Sequence, residues 1–145
     1  NRTMKELILS LFLFIAAETN YNTDLPYPEI VFLPESELVE MYVGDSQKDY
    51  TPTDLWAFYN LESKKIFLRD TWDLHNPWNK SILLHELIHY VQDMNGAKFP
   101  CTQEMEKESW PLQQKYLRQY HGIEWDYDGL WFLMISTCPD FNHGF

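Results

Sequence analysis

The stretch Ser81-Ile82-Leu83-Leu84-His85-Glu86-Leu87-Ile88-His89-Tyr90-Val91-Gln92 decides how the rest of the chain is read. Two histidines four residues apart on a helix project from the same face, one turn from each other. Both imidazoles then reach a single zinc ion, and Glu86 falls beside the open position of that ion. A carboxylate there takes a proton from water, which is the chemistry of the H-E-x-x-H pattern. The apolar residues Ile82, Leu83, Leu84, Leu87, Ile88 and Val91 describe a largely buried helix. Asn76-Pro77 and Asn95-Gly96 supply its start and stop signals. The plainer reading is a core helix with two structural histidines. It would leave three polar groups buried at a cost unless they share a partner.

Two imidazoles hold zinc weakly, and a catalytic site adds a third protein ligand and a water. Asn95 occupies the position where a metzincin would carry its third histidine, which excludes that class. The downstream segment Cys101-Thr-Gln-Glu104-Met-Glu106-Lys-Glu108-Ser-Trp110 offers three carboxylates. Glu104 and Glu108 share a helical face, and Glu106 points the other way, as a solvated side chain would. Eighteen residues lie between His89 and Glu108, enough for a turn and an antiparallel return. Glu108 is therefore the expected third ligand and Glu104 the second choice. The one not used is expected to accept a ring N–H from a zinc-bound histidine.

With these residues in place, the chain resembles the gluzincins, the clan of thermolysin-like proteases and aminopeptidases. The resemblance assigns His85, His89 and Glu108 to one zinc ion and Glu86 to the general base. More of the length resembles small single-domain gluzincin-like proteins of bacterial origin whose function is not established. The matching parts are the N-terminal apolar helix with Thr19-Asn-Tyr21, Lys65-Ile-Phe-Leu, Gln92, and Cys101 ahead of Glu106-Lys-Glu108-Ser-Trp with Leu112-Gln113. The resemblance implies an α+β, zincin-like fold, with a small antiparallel or mixed sheet laid over the metal helix and an edge strand that holds an extended peptide. No thermolysin-type C-terminal subdomain is expected from these residues, and no downstream His or Tyr matches that family's oxyanion stabiliser. His121, Tyr116, Tyr120 and Tyr127 are the candidates for that role; His75 and His143 read as surface residues.

The 145 residues read as one domain, 1–145, with a real core. A net charge of −11 makes nucleic acid and anionic membranes poor partners. Leu7 to Ala17 is eleven residues almost without polarity. It is too short to span a bilayer and lacks a following small-residue cleavage site. It reads as a buried helix, any signal peptide lying upstream. A strand is expected at Glu29–Leu33, a helix at Glu35–Tyr42, a turn-rich loop at Gly44–Pro52, and a hairpin of Leu55–Tyr59 with Lys65–Arg69. A long helix over Thr102–Tyr120 should bend near Pro111 and stop at Gly122, and a last helix should span Asp126–Ser136. Cys101 and Cys138 stand near prolines outside any C-x-x-C pair. They are expected to form a disulfide in an exported, periplasmic or secreted protein. Asn79-Lys80-Ser81 and Asn1-Arg2-Thr3 match the glycosylation pattern by chance.

The chemistry expected is hydrolysis of a peptide or protein substrate by a monomeric enzyme with one Zn2+. A donor for the tetrahedral oxyanion should stand near the metal. The competing readings are a zinc-stabilised scaffold or peptide-binding module, and a latent enzyme blocked by its C-terminal tail or by Cys101 as a fourth ligand.

Overall fold

The computed structural model describes residues 3–44 and 54–138. Most of the expected loop at Gly44–Pro52, and the tail with His143, lie outside these residues. The described chain is a mixed α+β fold of five α-helices and a three-stranded sheet. In order it runs α1 (Met4–Glu18), β1 (Ile30–Leu33), α2 (Glu35–Gly44), β2 (Ala57–Asn60), β3 (Lys65–Arg69), α3 (Pro77–Met94), α4 (Glu106–His121) and α5 (Gly129–Ile135).

The apolar N-terminal segment is a helix of the fold. Thr3 caps it in a reciprocal box, its hydroxyl accepting from the Glu6 N–H while Glu6 accepts from the Thr3 N–H at 2.8 Å. Its buried face carries Leu7, Ile8, Leu11, Phe12, Phe14 and Ile15, which join the main core with Leu83, Leu84, Leu87, Ile88 and Val91 of α3. Each such side chain contributes about 1.5–3 kcal/mol relative to an exposed one. Among the described residues no helix is long and apolar enough to cross a membrane.

The sheet order is β1-β3-β2, with β1 parallel and β2 antiparallel to β3. The β2–β3 connection is the expected hairpin. Asn60 Oδ1 accepts from the N–H groups of Glu62 and Ser63, and Lys64 adopts the left-handed conformation at φ 62°. The hairpin is tied to α3 by Asp93, whose Oδ2 accepts from the Tyr59 hydroxyl at 2.6 Å and the Lys64 ammonium at 2.7 Å. Among the described residues β2 is an edge strand. Arg69 N–H donates to the Trp56 carbonyl, and Phe58 faces Phe67. Alternation then turns the N–H and C=O of Ala57 and Tyr59 away from β3, towards the free edge.

Asn76 caps α3 through the Asn79 N–H and Pro77 occupies its first turn. The helix ends in a Schellman turn: Gly96, at φ 68°, donates to Asp93 O, and Ala97 donates to Gln92 O. Asn79 is buried with its Oδ1 accepting from Asp73 N–H, no place for a glycan. The expected helix from Thr102 is split. Thr102–Met105 is a tighter 3-10 turn, and α4 begins at Glu106. The change of pitch falls there rather than at Pro111, which sits inside α4. α4 ends at Gly122, left-handed at φ 64°.

Candidate metal centre

His85 and His89 sit one turn apart on α3, and α4 packs across them. The residue α4 brings to them is Glu106. His85 Nε2 lies 3.0 Å from Glu106 Oε1, and His89 Nε2 lies 2.6 Å from Oε2. Donor atoms of the three residues lie within 4.8 Å of one another, close enough to hold one metal ion. The Trp110 indole N–H donates to Glu106 Oε1 at 2.8 Å and fixes the carboxylate from the next turn.

This differs from the ligand expected. Glu108 faces away from the cluster, its Oε1 accepting from the Tyr21 hydroxyl at 2.6 Å and from Gln92 Nε2 at 2.8 Å. Glu104 lies in the 3-10 turn and pairs with Lys107 at 3.3 Å. Neither accepts a histidine N–H directly. The face argument separated Glu106 from its neighbours but could not tell which face meets α3. A usable signal lay downstream: Ser109, Gln113, Tyr116 and Leu117 form the buried stripe of α4, and Glu106 continues it backwards at helical spacing.

The outer nitrogens of both rings are fixed by glutamines. Gln92 Nε2 faces two groups that only accept, Met105 O at 3.1 Å and Glu108 Oε1. Its Oε1 must therefore be the atom 3.0 Å from His89 Nδ1, so that nitrogen carries a proton. On the other ring, Ser81 donates its hydroxyl to Trp78 O and accepts from Gln113 Nε2. Gln113 Oε1 is thus left for His85 Nδ1–H at 2.8 Å. In the neutral rings both Nε2 lone pairs then point at carboxylate oxygens. Lone pairs facing oxygens at these separations need a positive charge between them, either protons or a metal cation. The donor set fits zinc, which takes imidazole nitrogen and carboxylate oxygen.

Electrostatics agree with that need. Burial alone would lower the His85 pKa, but Glu106 outweighs it and lifts the ring to about 9. Burial alone would raise the Glu106 carboxyl, but the two histidines hold it well below the usual carboxylate range.

The cluster opens on a cleft of about 200 Å³. Glu86 lines it and is mostly buried, and among the described residues its carboxylate has no hydrogen bond or ion pair. Apolar lining comes from Leu55, Ala57 and Phe58 on the hairpin side and from Met105, Trp110 and Ile135 opposite. A second hollow, lined by Lys98 and Phe99 among others, shares Leu61, Thr102 and Met105 with the first. The polar side chains lining the cleft beyond the cluster are Tyr42, Tyr59, Thr102 and Gln103.

None of the expected oxyanion candidates is among the lining residues. Tyr116 and Tyr120 pack against Phe14 of α1, and His121 meets the Tyr116 ring edge-on. Tyr127 belongs to an aromatic group around Trp110 with Trp125 and Phe132. Cys101 and Cys138 are joined in a disulfide, so Cys101 has no thiolate to offer as a fourth ligand. The bond closes the grouping of Glu104 with the two cysteines to metal in the same way.

A family model described as Domain of unknown function (DUF6647) matches residues 1–143. The chain belongs to the DUF6647 family. No curated protein and no solved structure matches it.

Proposed function

We propose that this DUF6647 protein is a zinc-dependent metallopeptidase of gluzincin-like type, holding one zinc ion through His85, His89 and Glu106. The observation that carries the proposal is the convergence of two imidazole Nε2 atoms on the Glu106 carboxylate, beside the unpartnered Glu86 and in an open cleft. Zinc held by such a set supplies Lewis-acid polarisation of a carbonyl and acidifies water. Glu86 takes the proton of the attacking water on a carboxylate oxygen and returns it to the leaving amine. The free edge of β2 lines the same cleft through Ala57 and Tyr59. An extended peptide pairs with their backbone groups and lays its side chains against the apolar walls. Trp110 and Met105 shield the reacting atoms from bulk water. The disulfide suits an exported protein.

The test is metal content followed by cleavage of a peptide library. Wild type should take up one zinc per chain, and His85→Ala and Glu106→Gln should lose it. Glu86→Gln should keep the zinc and lose roughly 10²–10⁴-fold in turnover, the usual contribution of a general base. A folded wild type without stoichiometric zinc overturns the metal reading. Zinc uptake with no cleavage of any library peptide favours a peptide-binding module instead. The failure of His121, Tyr116, Tyr120 and Tyr127 to reach the cleft is the observation on that side.

A further inference from the structure

Glu108 has no place in the proposed chemistry, yet it is wired to it. Its Oε1 takes one hydrogen bond from the Tyr21 hydroxyl at 2.6 Å and another from Gln92 Nε2 at 2.8 Å. Gln92 is fully buried and lies one turn beyond His89 on α3. Tyr21 comes from the loop after α1, so the carboxylate joins three separate parts of the chain. Burial and the neighbouring carboxylate push the Tyr21 phenol above its ordinary value, which keeps it a donor.

An amide can turn over. With Nε2 towards the ring, Gln92 would offer an N–H to His89 Nδ1, and the neutral ring would answer with its lone pair. The proton would then sit on Nε2, facing the metal position, where it blocks ligation. Met105 O is one acceptor opposing that flip, and the Glu108 carboxylate is the second and the charged one. We infer that Glu108, buttressed by Tyr21, is a positioning residue that holds Gln92 in one orientation and thereby keeps the His89 Nε2 lone pair on the metal position. This inference rests on the metal reading above and assigns Glu108 a role distinct from that of ligand.

The substitutions that test it are Glu108→Gln and Glu108→Leu in the full chain, read by zinc competition with a chromogenic chelator and by 15N NMR of the His89 ring. Glu108→Gln keeps an oxygen that can accept both bonds. It should retain one zinc per chain at close to wild-type affinity, with the His89 Nδ1–H protected from exchange. Glu108→Leu leaves the amide with a single acceptor. It should retain the stoichiometry, lose roughly 10–100-fold in affinity as outer-shell partners do, and show a rapidly exchanging Nδ1–H. Loss of zinc in Glu108→Gln, as in Glu106→Gln, would make Glu108 a ligand and overturn the inference. So would unchanged affinity and a protected Nδ1–H in Glu108→Leu. If Glu108→Leu does not fold, the Glu108→Gln result and Tyr21→Phe, expected to lose several-fold in affinity, carry the test. A wild type that takes no zinc but keeps a protected His89 Nδ1–H, released in Glu108→Leu, separates failure of the metal reading from failure of the relay.

Discussion

Trp110 donates its indole N–H to Glu106 Oε1 across one turn of α4, at 2.8 Å. That indole is also the centre of an aromatic group with Trp125, Tyr127, Trp131 and Phe132. The C-terminal part of the chain therefore presses on the residue that steers the candidate third ligand. Trp110→Phe keeps most of the aromatic packing and removes the N–H. It should lower zinc affinity by roughly tenfold without changing stoichiometry, measured by chelator competition.

Proton and metal compete for the same centre, and pH separates them. In metal-free protein the His85 pKa of about 9 stands above its ordinary 6.5. A group raised on folding stabilises fully below its unfolded value and loses that contribution as pH climbs through the folded one. Metal-free stability should therefore fall between about pH 6.5 and 9. Zinc binding displaces the protons, so the rise in melting temperature on adding zinc should grow over the same window. A melt that falls with pH without zinc and stays nearly level with it is the expected result. Parallel slopes would mean that no metal enters the cluster.

The Cys101–Cys138 bond spans a sequence separation of 37. Closing a loop of that order stabilises by about 2–4 kcal/mol. Because Cys101 begins the turn that delivers Glu106, reduction should also weaken zinc retention. Denaturant melts and zinc titrations with and without a dithiol measure the two effects together. A melt unchanged by dithiol would contradict the bond's structural role.

Leu11 is fully buried on α1, away from the cleft lining. Leu11→Ala should destabilise by about 2–5 kcal/mol, as large-to-small changes in a core do. Zinc stoichiometry should stay at the wild-type value in the fraction that remains folded. Chemical denaturation checks the first and metal analysis the second.

Local chemistry made much of this molecule legible in sequence. The strand before Pro34, the Asn60–Lys64 hairpin and the capped α3 all follow from short-range signals. The pairing of β1 with β3 was not legible, because a parallel neighbour is chosen by tertiary packing and leaves no local mark. The third candidate ligand shows the same limit. Spacing brought a carboxylate back over α3, but which of Glu104, Glu106 and Glu108 arrives depends on helix phase. The 3-10 turn at Thr102–Met105 takes Glu104 out of α-helical phase, while Glu106 and Glu108 share α4 on different faces, and tertiary packing alone decides which face meets α3. Gln92 and Gln113 stand among the matching parts of the sequence, but no local signal assigns either to a histidine ring. They titrate in no accessible range and bind no metal themselves, so a search for ligands passes over them.

The two glutamine contacts have a use beyond this chain. Along the sequence, the candidate ligands and the residues bonded to them fall into the string H-E-x2-H-x2-Q-x13-E-x-E-x4-Q, from His85 to Gln113. H-E-x-x-H alone recurs by accident in chains rich in His and Glu, whereas this longer string names a partner for each imidazole. It also sets the first glutamate of the E-x-E pair apart from the second. A sequence that keeps the histidines but replaces either glutamine with an aliphatic residue should have lost one fixed tautomer, and with it the means to present both nitrogens to a single ion.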